Sequence, residues 1–587
     1  MTVWFDIAKG LERILQVTAA ELKPFDDIFS AEIRQADPRF GDYQANGVLP
    51  FARSKNLNPR TLAESLTAAL IDSGRLDPEV AEVSVAGPGF LNFKLQPPFL
   101  FRWLETFQNR DQLREAAARH YKGRKIVVDY SSPNAAKQMH VGHIRSTVIG
   151  EPIKRMLTFY GARVIGDNHI GDWGTGFGKL ILAIKSTDYD LEVERENPLA
   201  DLEALYKRGN QMAEDSGEAL QQARQELVKL QNDDAENRSC WESINRISRA
   251  GFHKIYRRLG VTFDHELGES FYRDKVERVY RELEETGVGR ESEGAWVVFF
   301  PHHARFKEQP FIYRKSDGAS NYASTDLATA LYRLEAFEAD EIIYVTDSRQ
   351  RDYFEQLFLA VTAWFEKKGY KLPRLQHVWF GTILGDDRKP MKSRSGAPIF
   401  LNDLLDEAVE RAFRIVEEKN PHLTTGEKQD IAETVGVGAV RYADLMQNRT
   451  GDYVFSWNKL LSLEGNTAPY LLYAVARIKS IFRKMGVPEN TPLPHATPLE
   501  TEAERGLARK LTAFPHALDQ ALSDLKPHHL CTYLYELAGA FSTFYNADKV
   551  NVDEPGPRQR RLMLCQRTSL VLQTGLHLLG IRPLEKM

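Results

Sequence analysis

The stretch KIVVDYSSPNAAKQMHVGHIRSTVIG, residues 125–150, decides the fold of this chain. It begins with a short run of β-branched apolar residues, from Ile126 to Val128, which is typical of a buried strand. The turn formers SSPN end that run, and apolar residues then return at helical spacing. The sequence therefore predicts a strand, a loop and a helix, with Gly142 and His143 in the first turn of the helix.

His140 and His143 lie three residues apart at this predicted helix start, where free N–H groups and the helix dipole attract anions. Gly142 would let a ligand approach the backbone closely. Two imidazoles on one side of the turn could stabilise charge on a triphosphate during displacement at its α-phosphorus. A zinc site of the HExxH type is rejected, because the pair is one residue too close and lacks the glutamate. Two surface histidines remain the alternative.

The residues that follow extend this unit into a parallel sheet. The segment GARVIG, residues 161–166, has the pattern of a second strand. Strand, helix and strand within about 40 residues predict a right-handed βαβ unit, whose ligands bind beyond the carboxyl ends of the strands. Further strands are expected at 295–300 and 378–380, and a helix is expected from Asn402.

Composition limits the class of protein and the number of domains, but it does not identify the function. At a prior of about 150 residues per domain, 587 residues suggest about four domains. A net charge of -4 gives no indication of nucleic-acid binding, although it does not exclude local basic faces. The three cysteines are isolated, which argues against a disulfide framework and a structural zinc site. No signal peptide or transmembrane segment is expected, and we predict a cytoplasmic location.

The run SSPNAAKQMHVGHIRST, residues 131–147, resembles the HIGH signature of class I aminoacyl-tRNA synthetases in its arginyl form. The segments RFGDYQANG (39–47) and AGPGFLNF (86–93) resemble the N-terminal domain of that family, and the helical C-terminal part resembles its anticodon-binding bundle. The resemblance covers nearly the whole chain.

The resemblance implies an α/β fold with a Rossmann-type class I catalytic domain, an N-terminal α+β domain and an all-α C-terminal bundle. The implied limits are an N-terminal tRNA-elbow-binding domain at 1–118, a catalytic domain at 119–400 with a helical insertion at about 186–260, a junction at 401–455 and an anticodon-binding domain at 456–587. We expect no chemical role for the insertion.

The resemblance also implies an activity. L-arginine would be activated with ATP to arginyl-adenylate and transferred to the 3′ end of tRNA(Arg), with activation requiring bound tRNA. Mg2+ would enter with ATP as substrate, no tightly bound metal or organic cofactor is expected, and the enzyme would be a monomer without a membrane partner. Two alternatives stay open: a related synthetase or nucleotidylyltransferase of other specificity, and a catalytically silent paralogue that binds tRNA.

Catalytic and ATP-binding roles follow from the signature and from PMKSRSG, residues 390–396, which stands where class I enzymes carry the mobile KMSKS loop. The lysines of that loop neutralise pyrophosphate in the transition state. This copy is degenerate, and the lysine ahead of the HIGH motif, Lys137, is implied to compensate. The implied residues are His140, His143, Lys137 and Lys392 for catalysis, with Gly142, Met391, Ser393 and Arg394 also binding ATP.

An arginine pocket is implied near the same strands. A cationic side chain and an ammonium group require more than one carboxylate in a closed pocket. The matching residues are Asp129, Asn134, Tyr322, Asp326 and Gln350. Asp326 could instead be a helix N-cap. Tyr353 departs from the family, which often has histidine there, and we assign it no role.

The implied tRNA-binding residues lie near the two ends of the chain. Aromatic rings beside cations allow base stacking next to phosphate contact, although core tyrosines in a helix bundle look the same in sequence. The residues are Phe40, Tyr43, Gln44 and Asn46 in the N-terminal part, and Tyr470, Tyr473, Arg477 and Met587 in the C-terminal part.

Overall fold

The computed structural model describes residues 3–25, 29–37, 39–316, 318–391, 399–493 and 497–587. The chain forms two compact units. The first unit comprises Met1–His120, Ser462–Leu578 and Arg582–Met587, and the second comprises Tyr121–Leu461 and Leu579–Ile581. The domain limits predicted at 118, 400 and 455 stay predictions.

The N-terminal part of the first unit is a four-stranded antiparallel sheet with helices around it. Its strands lie in the order Ile33–Gln35, Tyr43–Ala45, Phe90–Leu95 and Ala81–Ala86. Its first helix begins where the side chain of Asp6 accepts the backbone N–H of Lys9, and it buries Leu11 and Leu15. The elements are α1 (Ile7–Ala20), β1 (Ile33–Gln35), β2 (Tyr43–Ala45), α2 (Val48–Ser54), α3 (Pro59–Asp72), β3 (Ala81–Ala86), β4 (Phe90–Leu95), α4 (Pro97–Thr106) and α5 (Arg110–Ala117).

The second unit contains the predicted strand, helix and strand, followed by the helical insertion. These elements are β5 (Lys125–Asp129), α6 (Val141–Phe159), β6 (Arg163–Asp167), α7 (Thr175–Ser186), α8 (Pro198–Asp215), α9 (Gly217–Gln231) and α10 (Ala235–Leu259). The remaining elements are α11 (Glu269–Tyr272), α12 (Val276–Glu285), β7 (Gly289–Ser292), β8 (Ala295–Val298), β9 (Phe311–Arg314), α13 (Tyr322–Glu335), β10 (Glu341–Tyr344), α14 (Arg351–Lys368), β11 (Arg374–His377), β12 (Ile383–Leu384), α15 (Leu401–Lys419), α16 (Thr425–Leu445), β13 (Tyr453–Val454) and α17 (Trp457–Leu460), with 3-10 turns at Arg273–Lys275 and Ser348–Gln350.

The core of this unit is a parallel sheet in the order β11-β10-β5-β6. Asp129 pairs with Asp167 on one side and with Tyr344 on the other, and Tyr344 pairs with His377. The carboxyl ends of the four strands therefore meet in one row, where the ligand site of such a sheet lies. This confirms the predicted parallel βαβ unit.

The strand predicted at 378–380 is wrong in its limits, because β11 ends at His377. Val378 and Phe380 still donate N–H bonds to the carbonyls of Tyr344 (2.8 Å) and Thr346 (3.2 Å), which lie at and beyond the end of β10. The apolar run therefore continues along the edge of the sheet but forms no full ladder there.

The C-terminal part of the first unit is helical in the residues that the structure describes. It contains α18 (Ala468–Met485), α19 (Glu502–Thr512), α20 (Phe514–Ser523), α21 (His528–Ala547) and α22 (Pro555–Leu578). Across the described ranges, no helix combines the length and the apolar character that crossing a membrane requires.

Candidate active site

The loop between β5 and α6 holds three non-glycine residues in the left-handed region: Ser131 (φ 76°), Ser132 (φ 49°) and Ala136 (φ 60°). Such conformations are uncommon for L-residues, cost about 1–3 kcal/mol each, and cluster at functional sites. Three backbone N–H groups of the loop donate hydrogen bonds to side chains outside it. Ser131 donates to Ser146 Oγ (2.8 Å), Ser132 to Asn168 Oδ1 (3.0 Å) and Ala136 to Ser248 Oγ (2.9 Å). The neighbouring structure thus fixes the loop shape.

The two signature histidines lie at the start of α6. His140 is its N-cap, and His140 Nδ1 accepts the N–H of Gly142 (3.0 Å), while His143 Nδ1 accepts the N–H of His140 (3.1 Å). Because Nδ1 accepts in both rings, the proton of each neutral imidazole lies on Nε2, which can donate. Burial lowers the pKa of His140, and burial together with His140 lowers the pKa of His143 to about 3. Both rings are therefore neutral donors at pH 7.

Gly142 lies against the ring of His140. A Cβ at this position would lie 2.7 Å from Cε1 of His140, and the Gly142 N–H is already donated to that ring. The glycine therefore makes room for His140. Its predicted role in letting ATP approach the backbone stays a prediction.

A cavity of about 730 Å³ lies beyond the carboxyl ends of the central strands. This volume suits a small-molecule site. It brings together six of the residues predicted to bind ATP or arginine, namely Asn134, His140, Gly142, His143, Gln350 and Met391.

Asp129 lies at the end of β5, where it shares one cation with a second carboxylate. Nη2 of the fully buried Arg333 lies 2.7 Å from Asp129 Oδ2 and 2.8 Å from Asp167 Oδ2. The hydroxyl of Ser132 donates to the other oxygen of Asp129 (3.0 Å). One guanidinium and two carboxylates leave a net charge of about -1 on this group, so Asp129 stays a proposed arginine-binding residue.

Asp326 lies in the second turn of α13, whose N-cap is Asn321, so the N-cap alternative for Asp326 is wrong. The hydroxyl of Tyr353 donates a hydrogen bond to its carboxylate, and His169 Nε2 lies 4.0 Å from Asp326 Oδ1. Burial raises the pKa of Asp326. Tyr353, to which the sequence assigned no role, therefore fixes the orientation of this carboxylate.

Glu269, the first residue of α11, is a second acidic group that the sequence analysis missed. Burial raises the pKa of its carboxyl to about 8, with further contributions from the negative charges of Asp326 and Asp172. Within the described ranges no Lys, Arg or His nitrogen lies within 4.0 Å of it. Glu269 in turn is the largest cause of a raised pKa at Tyr322, a residue whose surface is 69% exposed. Two half-buried carboxylates thus face one region without enough positive charge.

The segment predicted to act as the KMSKS loop is held at both flanks. Near its start, Met391 donates its N–H to the carbonyl of Ile383 (3.1 Å). Beyond its end, the carbonyl of Ile399 accepts the N–H of Val141 (2.9 Å). Met391 lines the cavity. The other residues predicted there, Lys392, Ser393 and Arg394, lie outside the described residues.

The RNA-binding residues predicted in the N-terminal part differ in exposure. Phe40 is 51% exposed and has the Arg39 guanidinium 5.5 Å from its ring centroid, whereas Tyr43 is only 3% exposed. Gln44 donates to Asn92 Oδ1 (2.7 Å), and Asn46 is half-buried. A buried ring offers no face on which a base can stack. Tyr43 is therefore not proposed as an RNA-binding residue, and Phe40, Gln44 and Asn46 remain proposed ones.

Three of the four residues predicted in the C-terminal part lie on α18, where Tyr470, Tyr473 and Arg477 follow at helical spacing. Tyr473 is 45% exposed. Two tyrosines of α21 that the sequence analysis missed complete this face: Tyr535 lies 5.6 Å from Tyr470 between ring centroids, and Arg477 lies 4.4 Å over the ring of Tyr545. Met587 is half-buried. Their contacts with RNA stay a prediction.

In the part of the chain that the structure describes, no three His, Cys, Asp or Glu side chains come together as a group that could hold a metal ion. Magnesium can still enter with a nucleotide, which supplies its own phosphate oxygens as ligands.

A parallel sheet with neutral histidines at the start of the helix after β5 places the chain among class I aminoacyl-tRNA synthetases. A family model described as "tRNA synthetases class I (R), catalytic domain" matches residues 106–457, and "Arginyl tRNA synthetase N terminal domain" and "DALR anticodon binding domain" match 7–95 and 471–587. The chain belongs to the arginyl-tRNA synthetase family.

Curated relatives and solved structures agree with this placement. An arginine–tRNA ligase from Sodalis glossinidius is 43% identical over 585 residues, covering 98% of this chain and 99% of the relative. One from Escherichia coli O157:H7 is 40% identical over 585 residues, with the same coverage. The arginyl-tRNA synthetase structure from Plasmodium falciparum has a TM-score of 0.82 at 28% identity and covers all of both chains. That from Thermus thermophilus has a TM-score of 0.80 at 25% identity and covers 99% of this chain and 100% of its own.

Proposed function

We propose an assignment of residues to the steps of the arginine–tRNA ligase reaction, the activity that goes with this family. The carboxylate of L-arginine attacks the α-phosphorus of Mg-ATP, forming arginyl-adenylate and releasing pyrophosphate. A hydroxyl of the terminal tRNA ribose then takes the arginyl group, and AMP leaves. The chain carries out both steps as a monomer in the cytoplasm, where tRNA is charged for translation.

The pair of carboxylates at Glu269 and Asp326 is the observation that carries the choice of arginine. A guanidinium with its planar set of donors supplies the positive charge that this pair lacks, and bidentate pairing fixes its position. Tyr353 keeps Asp326 in orientation, and Tyr322 closes the exposed side. Asn134 and Gln350, which line the cavity, bind the α-amino and carboxylate end. Asp129, which shares one cation with Asp167, adds negative charge for the guanidinium or the α-amino group.

The phosphates of ATP are bound at the start of α6. The Nε2–H groups of His140 and His143 donate hydrogen bonds to the phosphate oxygens on which charge develops during displacement. Lys137 and the segment from Met391 through Arg394 neutralise the leaving pyrophosphate. Phe40, Gln44 and Asn46 contact the tRNA elbow, and the α18 residues Tyr470, Tyr473 and Arg477, with Met587, contact the anticodon.

The pKa of Glu269 predicts a pH dependence. Below pH 8 this carboxyl is protonated in the free enzyme and cannot pair with a cation, so kcat/KM for arginine should rise as pH increases from 6 to 8, by up to about tenfold per pH unit, and level off above. Exchange of pyrophosphate into ATP at saturating ATP and tRNA measures this profile. In Glu269→Gln the rise should disappear. A flat profile in the unmodified protein would contradict the role of Glu269.

The overall assignment is tested by pyrophosphate exchange with arginine, lysine or glutamine, each with and without the matching tRNA. We expect exchange only when arginine and tRNA are present together. Exchange with lysine or glutamine would overturn the arginine pocket. Tight tRNA binding without exchange for any amino acid would instead favour the silent paralogue.

A further inference from the structure

Helix α8 of the insertion packs on the segment just before the signature histidines. The ammonium of Lys137 lies 4.7 Å from the centroid of the Tyr206 ring, and Glu203 Oε2 accepts the backbone N–H of Gln138 (3.1 Å). Glu203 and Tyr206 are three residues apart and share one face of α8. Two neighbouring residues of the active-site segment are thus bound by one face of a helix for which the sequence indicated no chemical role.

The contact directs Lys137 without neutralising it. In the described part of the chain no carboxylate lies within 4.0 Å of its ammonium, and the nearby Glu203 is paired with Lys207 (2.8 Å). An aromatic face attracts a cation through its quadrupole, more weakly than an ion pair at a buried site. A carboxylate in place of the ring would cancel the charge that a pyrophosphate needs.

The ring of Tyr206 is itself held in position. A Cβ on Gly176, in the first turn of α7, would lie 2.7 Å from the hydroxyl oxygen of Tyr206. Only a residue without a side chain leaves room there for the hydroxyl. The ring therefore lies between Lys137 on its face and the glycine-rich turn at its tip.

We propose that Tyr206 is a positioning residue for Lys137, whose ammonium its ring holds beside the signature histidines until the phosphates of ATP take it. This inference rests on the proposed role of Lys137 in neutralising pyrophosphate. In this proposal Tyr206 acts through Lys137.

A double-mutant cycle tests the proposal in the full-length protein, with arginine-dependent pyrophosphate exchange in the presence of tRNA as the measurement. Tyr206→Leu should lower the exchange rate by about 3- to 30-fold, whereas Tyr206→Phe, which keeps the ring, should stay within about twofold. In a Lys137→Met background, Tyr206→Leu should cause no further loss, because the group it positions is gone. Tyr189→Leu removes a similar contact with Arg195 (4.4 Å) in the same insertion and is the matched control, with no loss expected.

The outcomes separate the inference from the assignment on which it rests. Equal losses from Tyr206→Leu in both backgrounds would mean a structural role and overturn the proposal, as would no loss where Lys137→Met is strongly impaired. A fully active Lys137→Met variant would instead overturn the assignment of Lys137. Thermal unfolding accompanies each assay. Tyr206→Met, with a flexible side chain that fills irregular space, replaces the leucine variant in the cycle if that variant does not fold.

Discussion

Replacing Asp326 by asparagine is expected to lower kcat/KM for arginine by about 10²- to 10³-fold, because the guanidinium would then lose one of its carboxylate partners in a half-buried site. Glu269→Gln should have an effect of similar size. The KM for ATP and the affinity for tRNA should change by less than about twofold, since neither residue lies at the start of α6. Steady-state exchange kinetics with each substrate varied in turn measure the difference.

Two comparisons make this test selective for charge. Citrulline has the shape of arginine without its positive charge, so Asp326→Asn should reduce the discrimination between the two. Tyr353→Phe leaves the charge of Asp326 but removes the bond that orients it, and a loss of about tenfold is expected. Asp352→Asn changes an exposed ion pair on α14 and is the matched control. Unchanged arginine kinetics in Asp326→Asn, or equal losses for ATP and arginine, would contradict the arginine pocket.

The fold could be predicted where its determinants are contiguous in sequence. The β-branched run before the SSPN turn and the helical spacing after it fixed β5 and α6, and the short distance to β6 left only a parallel pairing. The limits of the 378–380 segment could not be read in the same way. Whether an apolar run completes a ladder depends on where its neighbour ends, and β10 ends at Tyr344.

The candidate site was predictable only in part, because the pairing of carboxylates is decided by distant packing. Asp129 follows a strand as a binding residue would, yet its partner Arg333 lies 204 residues further along the chain. Glu269 has no local motif around it, and it becomes notable only in the fold, where burial and then the negative charge of Asp326 raise the pKa of its carboxyl. The support that Tyr206 and Ser248 give to the signature loop is also non-local. The sequence did predict the two histidines, because both the start of the helix and the spacing of the pair can be read within a few neighbouring residues.

Replacing His143 by alanine is expected to slow adenylate formation by about 10²- to 10³-fold, the usual cost of removing one donor to developing charge. Both rings belong to the capping box of α6, so the loss of either would also cost about 1 kcal/mol of stability. Because the ring of His143 is neutral throughout the physiological range, the loss should be the same at pH 6.5 and pH 8.

Single-turnover formation of arginyl-adenylate, with tRNA present, measures this loss directly. The KM for ATP should rise by less than about threefold, since the donated bond strengthens only as charge develops. His143→Asn should recover part of the rate, because its amide can accept the N–H of His140 and still donate to a phosphate. His529→Ala, which removes a half-buried histidine that pairs with Asp524, should leave the rate unchanged. A His143→Ala variant with normal adenylate formation would show that other residues stabilise the phosphates, and Lys137 would be the next one to test.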